Sequence, residues 1–161
     1  MVGSHLGANP KFVPHLMQDL VDHYNKNKTG YFLDAIARFH AEFETIHPFV
    51  DGNGRMGRIL INVQLLNAGL PPIIIQNKNK HHDYYSLFTK YQSTQKFDGF
   101  SKLLALLLQE ALHKRIAFLS ARKIIPLSVW AKQNNLRGNT AANKAKRQTI
   151  PAFRLREKWM I

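Results

Sequence analysis

The chain has 161 residues, of which 45% are hydrophobic and 20% charged, so it can bury the core of one ordinary domain with a small appendage. This composition excludes a disordered chain, and the lack of cysteine excludes disulfides and thiolate metal sites. The net charge is +13, and no stretch reaches the ~20 apolar residues of a membrane span, so we expect a cytoplasmic protein that makes no membrane contact.

The first part of the chain carries helical patterns. The opening "MVGSHLGANPKFVP" is rich in Gly, Asn and Pro and predicts a loop or a short strand. A helix is predicted over "HLMQDLVDHYNKN", and a second over "YFLDAIARFHAEFETIH", where Phe and Ile recur at intervals of three and four. The second helix should end before Pro48, because proline disfavours the helical conformation of the residue before it.

Three more helices are predicted between residues 55 and 123. "RMGRILINVQLLNAGL" should end near Gly69, with Ile59, Leu60, Val63 and Leu66 facing the core. Two others follow around "HDYYSLFTKYQST" and "FSKLLALLLQEALHKRIAFLSARK". The last is apolar on most sides, which is typical of a central core helix.

The last forty residues differ in charge and in pattern. They hold ten Lys and Arg against one acidic residue, whereas residues 1–121 hold thirteen against nine. "PLSVWAKQNN" and "NTAANKAKRQ" predict two short helices, and "IPAFRLREKWMI" alternates around a turn like a hairpin. The sequence therefore predicts a first domain over 1–121 and a winged helix-turn-helix over 122–161.

The segment "HPFVDGNGRMGR", residues 47–58, combines groups that bind anions and move protons. A Gly-Asn-Gly loop that enters a helix points backbone N–H groups outward, with the helix dipole behind them. Arg55 and Arg58 are three residues apart on that helix, so both can grip phosphate oxygens from one side. Asp51 is placed to hold Mg²⁺ beside phosphates, and His47 to accept a proton from a hydroxyl. Together they indicate metal-assisted transfer from a nucleotide to a hydroxyl group.

The same segment resembles the Fic family, whose signature is His-x-Phe-x-[Asp/Glu]-Gly-Asn-Gly-Arg-x-x-Arg, at every fixed position. The resemblance covers roughly residues 1–120 and implies a mainly α, Fic-type helical core with a partial β-hairpin flap, whose tail is similar to residues 2–14. It also implies transfer of AMP from ATP, with Mg²⁺ or Mn²⁺, to a Ser, Thr or Tyr hydroxyl of a target protein.

The resemblance assigns a role to each motif residue. His47 would be the base, Asp51 the metal ligand and Phe49 the anchor of the loop in the core. The phosphates would be bound by Gly52, Asn53, Gly54, Arg55 and Arg58. Tyr84 and Tyr85 would line the nucleotide pocket, although they fit ordinary core positions equally well.

Two departures from the family qualify these roles. Fic domains usually carry helices before the flap, and this sequence starts inside it. No glutamate at 42, 44, 110 or 157 has Ser or Thr four residues earlier, so the family's inhibitory helix is not expected on this chain. His40 lies seven residues before His47, but no third ligand accompanies the pair, so we expect a packed helix residue rather than a metal ligand.

The C-terminal pattern is similar to excisionase-like winged helices, which bind DNA. The residues expected to contact DNA are all basic: Lys144, Lys146, Arg147, Arg154, Arg156 and Lys158. A helical cap on the enzyme would show the same pattern. Three other functions stay open: a DNA-binding regulator that binds nucleotide without transfer, a Fic enzyme that removes AMP, and one that transfers another nucleotide. A homo-oligomer is compatible with each.

Overall fold

The computed structural model describes residues 7–26, 30–75, 84–120 and 123–161, and over these residues the chain is mainly α-helical, as predicted. In chain order the elements are α1 (Val13–Lys26), α2 (Phe32–Ile46), α3 (Asn53–Asn67), α4 (Tyr85–Thr94), α5 (Asp98–Leu119), α6 (Leu127–Gln133), α7 (Gly138–Lys146), β1 (Phe153–Leu155) and β2 (Lys158–Met160). The chain divides within α5 into two compact units, Met1–Leu104 and Ala105–Ile161. Each of the described helices is too short or too polar to cross a bilayer.

The core of the first unit forms where α1 and α3 pack against α2. Leu20 of α1 is buried with Phe39, Phe43 and Ile46 of α2, and Leu60 of α3 packs against this cluster. The predicted end of α2 is confirmed, since His47 leaves the helix in the left-handed conformation with φ 55° directly before Pro48.

Helix α3 is rotated relative to the prediction. Ile59, Val63 and Leu66 are 55%, 44% and 56% exposed, so they do not form the buried face. The buried positions step by four residues instead: Asn53, Gly57, Ile61 and Leu65. The helix is apolar on two sides, so the hydrophobic pattern alone does not identify its buried side. Close packing against α2 at Gly57 determines which side is buried.

The segment before α1 reaches the C-terminal end of α2. The Ala8 N–H donates to the Ile46 carbonyl at 2.9 Å, and residues 7–12 form coil and turn. The rest of the predicted flap segment, residues 2–6, lies outside the described residues.

Helix α5 is a core helix only over its first half. Phe100, Leu104 and Leu108 are buried, whereas Phe118 and Leu119 are 55% and 85% exposed. The prediction of a central core helix along its whole length is therefore wrong for the last turns.

The second unit has the predicted order of two short helices and a hairpin. Its core is formed by Leu127 and four alanines, with Trp130 and Trp159 packed around them. The hairpin pairs Phe153 with Met160 across a turn whose two residues, Arg156 and Glu157, both have positive φ, as two-residue turns of type I′ require. Ile125 exchanges two backbone hydrogen bonds with Ile161, each 3.0 Å, which adds a short third segment that the sequence pattern did not indicate.

Candidate active site

His47 lies at the point where α2 ends, and its ring is oriented by that helix. The ring Nδ1 is 3.3 Å from the carbonyl oxygen of Glu44. Because a carbonyl can only accept, Nδ1 carries the proton and the lone pair of the neutral ring is on Nε2. Gly7 packs against the same residue, since a β-carbon there would come within 2.8 Å of the His47 Cβ.

The loop after His47 is held by one buried side chain. Asn53 is 2% exposed, its Oδ1 accepts from the Phe49 N–H at 2.8 Å, and its Nδ2 donates to the Phe49 carbonyl at 2.6 Å. The Phe49 ring is 47% exposed and lies 6.4 Å from the Phe43 ring. The predicted anchor thus acts through the Phe49 backbone rather than through burial of its ring, and the Asn53 side chain is committed to the loop rather than to a phosphate.

Helix α3 starts directly at this loop. Gly52 precedes it with φ 86°, a conformation that side chains rarely adopt. The Met56 N–H donates to the Gly52 carbonyl at 2.9 Å, which is the first bond of the helix. The N–H groups of Asn53, Gly54 and Arg55 belong to the first turn, where helices have no internal acceptors, and anion binding by these groups stays a prediction.

Asp51 and Arg55 lie together on the exposed side of this turn. Arg55 Nη2 is 3.0 Å from Asp51 Oδ2, and their side chains are 72% and 90% exposed. An exposed ion pair contributes little stability and exchanges easily with other partners. Both groups are therefore available to a charged ligand at the cradle.

Arg58 lies on the inner side of the same helix. A β-carbon at Gly54 would be 3.2 Å from Arg58 Nη1 and 3.8 Å from Glu44 Oε1, so both side chains approach the same point. Burial raises the pKa of Glu44 to about 7, and the charge of Arg58 acts in the opposite direction. Glu44 thus places a carboxyl group beside the second motif arginine, which the sequence did not indicate.

The two tyrosines predicted for the nucleotide pocket have different environments. Tyr84 is 3% exposed, and its hydroxyl is 2.6 Å from His40 Nε2, so it is a core residue and not an open pocket wall. Tyr85 is partly exposed and its ring lies 5.4 Å from that of Tyr84, which keeps it at the rim of this region. His40 itself is 1% exposed, as expected for a packed helix residue.

No cluster of three or more His, Asp or Glu side chains suited to a metal occurs in the described part of the chain. A site built from protein ligands alone is thus not indicated there. Mg²⁺ commonly uses one or two carboxylates together with substrate phosphates and water, and the exposed Asp51 carboxylate beside the cradle fits that donor set.

The basic residues of the second unit are placed unequally. Of those expected to contact DNA, the exposed ones are Lys144 and Lys146 on α7, Arg147 directly after α7, and Arg156 and Lys158 on the hairpin. Arg154 is not available in the same way: it donates through Nε and Nη2 to Glu110 at 3.0 and 2.9 Å and stacks over Trp159 at 4.9 Å. We therefore remove Arg154 from the set expected to contact DNA.

Sequence comparison finds relatives for the segment that carries the loop between α2 and α3. Residues 2–65 match the model of the Fic/DOC family. The chain is 42% identical over 72 residues to a probable protein adenylyltransferase of Aquifex aeolicus, covering 45% of this chain and 22% of that protein. It is 38% identical over 85 residues to the protein adenylyltransferase Fic of Aedes aegypti, covering 52% and 17%. The chain thus spans about a fifth of the length of these relatives.

Two solved structures share the fold. A Fic domain-containing signaling protein from Bacteroides thetaiotaomicron superposes with a TM-score of 0.67 at 26% identity, over 73% of this chain and 49% of that one. A Fic family protein from Desulfovibrio desulfuricans gives 0.62 at 22% identity, over 99% and 58%. The helices that carry the loop thus have the Fic helical fold, and residues 2–65 match the Fic/DOC family model.

Proposed function

We propose that this chain carries the catalytic loop of a protein adenylyltransferase, which moves AMP from ATP to a Ser, Thr or Tyr hydroxyl of a target protein. The observation that supports it most is the joint placement of His47 and the α3 N-terminus by Asn53, which ties the segment between them to the helix start. Relatives named protein adenylyltransferase support the same class of reaction.

The triphosphate would lie on the first turn of α3. The N–H groups of residues 53–55 would donate to phosphate oxygens, and Arg55 and Arg58 would bind the outer phosphates with their forked guanidinium groups. Arg55 would exchange its exposed ion pair with Asp51 for the phosphate. The Asp51 carboxylate would hold Mg²⁺, or Mn²⁺ in its place, and the metal when bound would neutralise phosphate charge.

His47 would act on the attacking hydroxyl. The hydroxyl oxygen forms a bond to the α-phosphorus, the bond from that phosphorus to the bridging oxygen breaks, and pyrophosphate leaves. The hydroxyl proton moves to His47 Nε2, which carries the lone pair because Nδ1 donates to the Glu44 carbonyl. The helix end thus sets the tautomer that the reaction needs.

The test is label transfer from ATP to protein in a cell lysate with Mg²⁺. We expect α-phosphate label on protein and no label from the γ-phosphate, which separates AMP transfer from phosphorylation. His47→Ala should abolish transfer, whereas His15→Ala, on the exposed side of α1, should leave it unchanged. Equal labelling by wild type and His47→Ala would contradict the role of His47.

The alternatives within the family give other outcomes. A chain that removes AMP would release label from a modified target, and one that uses another nucleotide would label from that nucleotide instead. Mass spectrometry of the modified target identifies the transferred group directly, because each nucleotide adds a different mass.

A second function, DNA binding by the C-terminal unit, is favoured by the exposed basic residues on α7 and the hairpin. Lys144 and Lys146 lie on α7, which follows α6, and Arg147 comes directly after α7. Arg156 and Lys158 lie on the hairpin, and this order of elements supports the proposed winged helix-turn-helix. Binding to duplex DNA should fall steeply with salt, since each neutralised phosphate releases counterions. A flat response would show that this unit makes no phosphate contacts.

A further inference from the structure

A cavity of about 380 Å³ lies between α1 and α2 in the first unit. This volume is within the range of pockets that hold small ligands. The described residues that line it include none of residues 47–58 and none with a role in the proposed transfer. The cavity is therefore not explained by that function. Five of its lining residues are aromatic: Tyr24, Tyr31, Phe32, Phe39 and Phe97.

Four of these rings form two edge-to-face pairs. The ring centroids of Tyr24 and Phe39 are 5.3 Å apart, and those of Tyr31 and Phe32 are 5.4 Å apart. Phe39 is 8% exposed, whereas Tyr31 and Phe32 are 56% and 39% exposed, so the cavity has an inner and an outer aromatic pair. The face of an aromatic ring carries negative charge, so rings that present a face to a cavity attract a cation.

The charged side chains give the lining one net negative charge. Arg38 Nε donates to Glu42 Oε1 at 2.7 Å, so these two charges offset each other. Among the other described lining residues, with histidine counted as neutral, Asp34 adds the net charge. The last turn of α1 and the first turn of α2 also border the cavity, and these helix ends carry partial charges of opposite sign. The side chains therefore decide the sign, which favours a cation.

We infer that this cavity binds an organic cation, an alkylammonium or guanidinium group, between its aromatic rings and the Asp34 carboxylate. Free amines carry such a group, and so do Lys and Arg side chains of a partner protein. A neutral apolar ligand would gain nothing from the carboxylate, and an anion would be repelled by it. The inference is independent of the proposed transfer of AMP.

Three ligands of nearly equal size and shape test the charge requirement: choline, its neutral carbon analogue 3,3-dimethylbutan-1-ol, and the anion 3,3-dimethylbutanoate. In NMR titrations of the full chain, we expect choline to shift the ring signals of the aromatic lining. Choline should bind about tenfold or more tightly than the alcohol, because several rings contribute, and the anion should not bind. Equal binding of choline and the alcohol would overturn the inference, as would tighter binding of the anion.

Tyr31→Leu tests the aromatic contribution, because it removes a ring face and keeps an apolar side chain at an exposed position. It should weaken choline binding about two- to fivefold. Phe12→Leu is the matched control, since Phe12 is also 56% exposed but does not line the cavity, and it should leave binding unchanged. Equal losses in the two variants would contradict a role for the ring.

Asp34→Asn tests the carboxylate. It should weaken choline binding about two- to fivefold and leave the affinity for the alcohol unchanged. Asp98→Asn makes the same change in the first turn of another helix, outside the lining, and should affect neither ligand. Unchanged choline affinity in both Tyr31→Leu and Asp34→Asn would overturn the proposed site.

Blocked amino acids distinguish the two sources of the cation. N-acetyl-lysinamide and N-acetyl-argininamide represent protein side chains, and N-acetyl-norleucinamide is their neutral control. Tighter binding of either basic amide than of choline would assign the site to a side chain of a partner protein, whereas tighter binding of choline would assign it to a free amine. Absence of binding by all three cations would reject the inference.

Discussion

The side-chain amide of Asn53 bonds both backbone groups of Phe49, with distances of 2.8 Å to the N–H and 2.6 Å to the carbonyl. This pair closes the loop that joins the end of α2 to the start of α3. His47, the proposed base, lies on one side of the closure, and the proposed phosphate cradle lies on the other. In the proposed mechanism, the distance between base and nucleotide would thus depend on one buried asparagine.

Asn53→Ala should lower both stability and transfer. It leaves two backbone groups of Phe49 without their partner, which we expect to cost about 1–3 kcal/mol in the free energy of unfolding. Asn53→Asp should also weaken the loop, because a carboxylate cannot donate to the Phe49 carbonyl. Asn67→Ala, at the exposed end of α3, is the matched control and should stay within about 0.5 kcal/mol in denaturant titrations. Equal stability of Asn53→Ala and wild type would show that the Asn53 side chain does not hold the loop closed.

Gly57→Ala should destabilise the contact between α2 and α3. A β-carbon there would lie 2.5 Å from Glu44 Oε1 and 2.9 Å from His40 Cε1, and the His40 ring is enclosed by aromatic neighbours. Overpacking of this kind costs about 1–3 kcal/mol.

Gly138→Ala serves as the control for that substitution. Nothing lies within 4 Å of its added β-carbon, and it is the first residue of α7. Alanine should be neutral there or stabilising by up to about 1 kcal/mol. Chemical denaturation gives the change in unfolding free energy for each variant, and the difference between them measures the close contact at Gly57. Equal changes for Gly57→Ala and Gly138→Ala would show that α2 and α3 do not pack so closely.

Glu44→Gln should change how stability depends on pH. Burial raises the pKa of Glu44 from 4.5 to about 7, so the folded chain binds the proton more tightly than the unfolded chain. The favourable contribution of this group is complete below pH 4.5 and is lost as pH rises through 7. The variant should therefore gain stability relative to wild type between pH 4.5 and 7, as measured by thermal unfolding at several pH values. A difference that does not vary across this window would mean that the carboxyl group titrates normally.

His40 has the opposite effect on the pH dependence of stability, because its contribution is lost as the pH falls. Its pKa is lowered to about 3 by burial and by Arg58, so the unfolded chain binds a proton that the folded chain does not. Its contribution is complete above pH 6.5 and is lost as pH falls toward 3. Since Glu44→Gln retains His40, the comparison of variant with wild type isolates the Glu44 effect.

Glu110→Gln should destabilise the second unit. Glu110 accepts from the Arg154 backbone and from two guanidinium nitrogens, and the two side chains are only 16% and 19% exposed. Losing the charge from this mostly buried pair should cost about 2–3 kcal/mol. Equal stability of Glu110→Gln and wild type in chemical denaturation would contradict the assignment.

Much of the helical layout could be predicted from the sequence, because its signals are local. The spacing of Phe and Ile defined α2, and Pro48 defined its end. The Gly-Asn-Gly segment predicted the start of α3, and alternation around Arg156 predicted the hairpin. Each of these depends on neighbours within a few residues.

The contacts that were missed join residues far apart in sequence. Tyr84 and His40 are 44 positions apart, as are Arg154 and Glu110, and nothing local in either segment indicates its partner. The buried face of α3 was misassigned because apolar residues occur on both sides of that helix. Tertiary packing at Gly57, rather than hydrophobic period, decides which side faces α2.

The triphosphate position is tested most directly by a crystal soaked with a non-hydrolysable ATP analogue and Mg²⁺. We predict phosphate density on the N–H groups of residues 53–55, with Arg58 in contact and the α-phosphorus facing His47 Nε2. Density for the triphosphate at any other place on the chain would contradict the proposed site, and the proposed roles of Asp51, Arg55 and Arg58 with it.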